Sequence, residues 1–115
     1  MADTPADPED AKIIALARAT RARTRAEEGA AVRDTDGRTF AASTVRLPSL
    51  RLSALRLAVA MAVSSGVAGL EAAAVVTDAD AFGPADLDAV RDLGGTGLAV
   101  FRAEPDGQLS AVEST

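Results

Sequence analysis

Hydrophobic and polar positions divide the chain into stretches with three rhythms. The first is helical. In "DPEDAKIIALARATRARTRAEEG", Ile13, Leu16, Ala17 and Thr20 recur at intervals of three and four and predict one inward stripe. Asp7 can cap this helix, and Pro8 suits its first position. Glu9 and Asp10 complement the dipole, and Gly29 ends the region. The second rhythm alternates. Asp36-Gly37 lies between two short β-prone runs, roughly Ala30 to Asp34 and Arg38 to Val45, and predicts a hairpin. Asp34 and Asp36 lack the other ligands of a calcium loop, so they read as turn residues.

The third rhythm is apolar almost throughout. "LPSLRLSALRLAVAMAVSSG", Leu47 to Gly66, is apolar or small nearly all round except at Arg51 and Arg56. It predicts one helix, started by Pro48 and Ser49, closed by Gly66 and buried on most sides. "LEAAAVVTD" predicts a central strand covered on both faces. "GPADLDAVRDLGG" predicts a short helix with Pro84 near its start and Gly94 past its end. "TGLAVFRA" is a second buried strand, "EPDGQ" a turn, and "LSAVEST" a last element of undetermined type. The order α-β-β-α-β-α-β predicts an α/β fold, a mixed sheet between helices with an N-terminal antiparallel hairpin. The expected organisation is a single domain over residues 1–115, with a flexible N-terminus over 1–7 and a less defined tail over 103–115.

Composition sharpens this picture. Of 115 residues, 48% are hydrophobic but only 3% aromatic, so Ala, Val and Leu must build the core around Phe40, Phe82 and Phe101. Small side chains each bury little area, at about 25 cal/mol per Å². Burial against further copies would strengthen such a core. A homodimer or homotetramer is therefore expected, with Arg51, Leu55, Arg56 and Val59 as interface candidates, alongside an unidentified protein partner.

The net charge of −5 argues against nucleic acid. The basic run Arg18 to Arg25 reads as a solvated face in a helix's C-terminal half, in preference to a phosphate-binding patch. Lys12 is the only lysine among twelve basic residues, which with the abundant alanine fits a GC-rich bacterial genome. The start "MADTPADPED" lacks the basic region and apolar run of a secretory signal. The longest apolar stretch, Leu57 to Val63, is too short to span a bilayer. A cytoplasmic location without membrane attachment is expected.

There is no cysteine and no histidine, which removes disulfides, thiolate nucleophiles, thiolate or imidazole zinc ligands, and imidazole bases. Ser53, Ser64 and Ser65 have no histidine to activate them and read as helix-packing serines. Asp78 and Asp80 end a strand where open sheets hold ligands. They read as a strand end and the cap of the next helix rather than as Mg²⁺ ligands. "LGGTG" lacks the strand-before, helix-after context of a phosphate loop.

Three stretches together resemble the small cytidine deaminases. "EEGAAVRDTDGRTFAAS" is similar to that family's "VGAAV…DG…GxNVE" hairpin. "LRLSALRLAVAMAVSSG" is similar to its "TxCAERAAIxxAVSxG" helix, and "AAAVVTD" before a Pro-started helix to the strand leading into "PCxxC". The resemblance spans about Asp10 to Phe101 and implies a three-layer α-β-α fold. In the family, zinc is held from two helix starts and a glutamate shuttles protons. Here the resemblance places Ser53 at the first ligand position and Leu55 at the glutamate. The other two ligands fall at Pro84 and Leu87, or at Ala85 and Asp88. The ribose-binding Asn and Glu map to Ala42 and Thr44, and the substrate-stacking Phe maps to Ala26. The resemblance thus implies an inactive member with no catalytic residue, zinc or other cofactor. The mapped pocket positions are mostly apolar, which favours an interaction role over a nucleoside- or nucleotide-binding module. A working cytidine deaminase is the remaining alternative.

Overall fold

The computed structural model describes residues 7–115. Apart from Asp7, the N-terminal segment expected to be flexible lies outside them. The chain runs α1 (Pro8–Thr24), β1 (Gly29–Asp34), β2 (Thr39–Ser43), β3 (Val45–Leu47), β4 (Leu50–Leu52), α2 (Ala54–Ser64), β5 (Leu70–Val76), α3 (Pro84–Gly94), β6 (Ala99–Ala103) and β7 (Leu109–Ser114). Five strands form one sheet in the order β2-β1-β5-β6-β7. β5 and β6 are parallel, and every other neighbouring pair in that sheet is antiparallel.

Strand alternation sends side chains to two cores. Ala30, Val32, Ala73, Val75 and Val100 meet α2 and α3 on one face. Ala31, Ala72, Ala74, Val76 and Phe101 meet Ile13, Ile14 and Ala17 of α1 on the other. The result is a three-layer α-β-α arrangement around a mixed sheet, as the sequence predicted. Small side chains let the layers approach closely. At Gly29 an added Cβ would lie 2.1 Å from the Ala17 carbonyl oxygen, so only glycine lets β1 leave α1 at this point. Phe101 is buried as expected, whereas Phe40 and Phe82 only border the core. Leu16 is half-buried, and Ile14 takes its place in the inward stripe of α1.

The Asp36-Gly37 hairpin forms as predicted, with Gly37 at φ 85°. Asp34 closes it by accepting from the Asp36 and Arg38 amides and from Arg38 Nε. Burial works against the charge on Asp34, but these bonds outweigh it and hold the carboxyl below its ordinary range.

The stretch from Leu47 to Gly66 is not one helix. Leu47 and Leu50 flank a Pro48-Ser49 turn joining β3 and β4, a separate two-stranded sheet with Val45 opposite Leu52. Proline pushes the residue before it out of the helical region, and V-R-L and L-R-L alternate as strands do. The helix begins only after Ser53, which caps it by accepting from the Arg56 amide. Gly66, at φ 87°, does follow its end as expected.

Two interface candidates are corrected here. Leu55 and Val59 are buried in this chain's own core, at 0% and 7% exposure, so neither offers a surface to a second copy. Arg51 and Arg56 are exposed. The large exposed apolar residues are Leu47, Leu50, Met61, Val63 and Val112, four of them between positions 47 and 63. The tail resolves into β7, which pairs with β6 at the sheet edge. Among the described residues, no helix is long and apolar enough to cross a membrane.

Candidate functional site

Two helix starts converge on the α2–α3 face of the sheet. Ser53 is the N-cap of α2, and its hydroxyl donates to the Asp86 carboxylate of α3 at 2.5 Å. The N-cap of α3 is Gly83, with no side chain to contribute. Asp78 and Asp80 therefore do not cap this helix. Asp78 is exposed and pairs with Arg21 at 3.5 Å.

Beside this junction lies the end of β1. Glu28 precedes that strand, and its backbone pairs with Thr44: the Thr44 amide donates to the Glu28 carbonyl, and the Glu28 amide donates to Thr44 Oγ1. Burial pushes the Glu28 carboxyl above its ordinary value. A hydrogen bond with Thr77 pulls the other way, while the nearby Asp86 and Glu27 carboxylates push it further up.

A cavity of about 330 Å³ opens between this junction and the β3–β4 hairpin. Its wall carries Glu27, Glu28, Thr44, Ser53 and three arginines, Arg46, Arg51 and Arg56. Arg46 is ion-paired with Glu27. A larger apolar groove of about 480 Å³ runs along the outer side of α1, on the other side of the sheet. Its alanine-rich wall holds only Arg18 and Asp106 as charged groups, so the smaller cavity is where chemistry can be concentrated.

The structure brings together only some of the residues expected here. Thr44 and Ser53 line the cavity. Ala42 is buried in the core, and Leu55 lies beneath the helix with no exposure. Ala26 belongs to the C-terminal cap of α1, its amide donating to the Arg21 carbonyl. Neither expected pair on α3 faces Ser53: Pro84 and Ala85 are exposed, Leu87 packs against the core, and Asp88 pairs with Arg91 at the surface. Asp86 makes the contact; sequence reasoning also missed Glu28 and Arg46 on the cavity wall, and Thr77 beside Glu28. The cavity is consequently polar and charged, not apolar. Among the described residues, no three His, Cys, Asp or Glu side chains form a group that could hold a metal ion.

A family model described as cytidine deaminase-like matches residues 6–107. The chain belongs to the cytidine deaminase-like family. Among solved structures it is similar to cytidine deaminase from Burkholderia pseudomallei, with 27% identity, 90% of each chain covered and a TM-score of 0.78. It shares its fold with cytidine deaminase from Mycobacterium leprae, at 21% identity, 90% coverage of each chain and a TM-score of 0.70. The same holds for the enzyme from Mycobacterium tuberculosis, at 24% identity and a TM-score of 0.67, covering 77% of this chain and 80% of that one. No curated protein matches the chain. In this cytidine deaminase-like chain, the Ser53–Asp86 bond joins the two helix starts from which the resemblance expects metal ligands to come.

Proposed function

We propose that this cytidine deaminase-like chain does not deaminate cytidine and acts as an interaction protein that assembles with copies of itself. The observation that carries the reading is the bond between Ser53 and Asp86 across the two helix starts. Catalytic zinc sites use about three protein ligands drawn from Cys, His and carboxylates, and keep one position open. The groups present at this junction are one hydroxyl and one carboxylate, already bonded to each other, a glycine, and the Glu28 carboxyl beside them, still without three ligands in one group among the described residues. They do not fit zinc. Nor does Leu55, fully buried and without a titratable group, supply the proton shuttle expected at its position.

Assembly is supported by the exposed Leu47, Leu50, Met61 and Val63 on the hairpin and α2. Exposed apolar side chains of this size mark interfaces when they gather in one region. Light scattering at tens of micromolar should report a dimer or tetramer, and Leu50→Glu should shift it towards monomer while leaving the fold intact. A wild-type monomer under those conditions contradicts the assembly reading.

A second reading is a binding module that holds a ligand without turning it over. The polar, arginine-rich wall of the 330 Å³ cavity favours it, because the residues that sequence comparison placed there were mostly apolar while the observed ones are mostly charged.

A further inference from the structure

The β3–β4 hairpin contains arrangements that are unfavourable in the chain by itself. Arg46 and Arg51 are direct partners across the ladder, and like charges placed opposite each other repel. Glu27 neutralises Arg46. Among the described residues, no carboxylate pairs with Arg51 or Arg56. Arg56 also sits in the first turn of α2, at the positive end of a helix dipole; the turn has no acidic residue of its own, and the Asp86 carboxylate at this helix start is bonded to Ser53. The other two helices carry acids there, Glu9 and Asp10 in α1 and Asp86 in α3. All three arginines line one cavity of about 330 Å³. Local conflicts of this kind concentrate where a protein binds something.

One ligand chemistry relieves every one of these conflicts, a compact anion seated among the guanidinium groups. We propose that the cavity binds a small phosphate monoester, with its phosphate held by Arg51 and Arg56 at the start of α2. This rests on reading the chain as a binding module. A phosphate dianion offers several acceptor oxygens to two planar guanidinium forks, which a single carboxylate cannot fill as fully. A chain of phosphates fits less well, since Glu27 and Glu28 stand on the same wall and the net charge is −5. Those two carboxylates instead suit hydroxyl groups on the remainder of a small ligand. Burial eases Glu28 towards its neutral form, which lowers its repulsion of an anion.

Calorimetry and thermal-shift measurements at low ionic strength test this with inorganic phosphate, cytidine monophosphate and cytidine. Phosphate and the monophosphate should bind saturably, cytidine should not, and added salt should weaken the binding. Arg51→Ala and Arg56→Ala should each lower affinity at least about tenfold. In phosphate-free buffer both variants should melt at or above the wild-type temperature, because each removes an unrelieved cation. Arg23→Ala, an exposed arginine of α1, should leave binding unchanged. Absence of a shift with either phosphate compound overturns the proposal. So do arginine variants that melt earlier in phosphate-free buffer yet bind phosphate as well as wild type, or tight binding of a single-stranded oligonucleotide without binding of the monophosphate. Failure to bind leaves the absence of turnover untouched, whereas cytidine turnover contradicts the functional reading without bearing on phosphate affinity.

Discussion

Glu28 is an acidic residue whose chemistry is set by burial rather than by its place in the sequence. It reads as one of two acidic residues in the link between α1 and β1, yet burial raises its carboxyl above the ordinary 4.5. A carboxyl whose folded value is raised favours the folded state fully below its unfolded value and loses that contribution as pH rises through the folded value. Stability should therefore decline as pH climbs from about 4.5 through the folded value of Glu28. Glu28→Gln should flatten that decline and raise the melting temperature at neutral pH. Thermal melts across pH check it, and an unchanged slope with a lower neutral melting temperature would contradict the account. Asp34 has the opposite sign: its lowered carboxyl supports the fold above the unfolded value and withdraws that support as pH falls through the folded one. The two groups can be told apart because their windows lie on opposite sides of the ordinary carboxylate range.

At the scale of elements, legibility followed how many local signals agreed. The Asp36-Gly37 hairpin, the start of α1 and the apolar run of β5 each carried a turn or cap residue together with the right period, and each formed as read. The β3–β4 hairpin was missed because Val45, Leu47, Leu50 and Leu52 continue smoothly into the apolar helix. Pro48 suits the first turn of a helix equally well, but here it turns a hairpin. The α3 contact was missed for a different reason. Which of several adjacent residues at a helix start faces a second helix depends on where the N-cap falls, and that boundary is the least legible feature of a sequence. With Gly83 as N-cap and Asp86 against Ser53, the pair spaced like the family's second motif is Gly83 and Asp86. A Cβ added at Gly83 would lie 3.6 Å from the Asp86 carboxyl, in open contact distance. Ser53→Cys with Gly83→Cys and Asp86→Cys should thus bind Co²⁺ with thiolate charge-transfer bands, at about 2.3 Å per sulfur. The triple with Ala85→Cys and Asp88→Cys, whose positions are exposed, should bind far more weakly. Equal weak binding by both would mean that the two helix starts do not meet as described.

For the whole molecule, the architecture is that of the cytidine deaminase-like family. The α-β-α layers rest on small, closely packed side chains, with Leu55, Val59 and Val90 filling the space between sheet and helices with hydrocarbon. The charged cavity and four of the five exposed large apolar residues lie outside this core, on the hairpin and α2. On the proposed reading, function lies on a surface and its adjoining pocket, and the layers serve to hold both in place. The most direct measurement is cytidine turnover by the purified chain at tens of micromolar, supplied with Zn²⁺ and followed by the loss of ultraviolet absorbance as cytidine becomes uridine. The account predicts a rate no different from buffer with Zn²⁺ alone, and no stoichiometric zinc left after mild chelation. Steady turnover that depends on the protein, with about one zinc retained per chain, would contradict it.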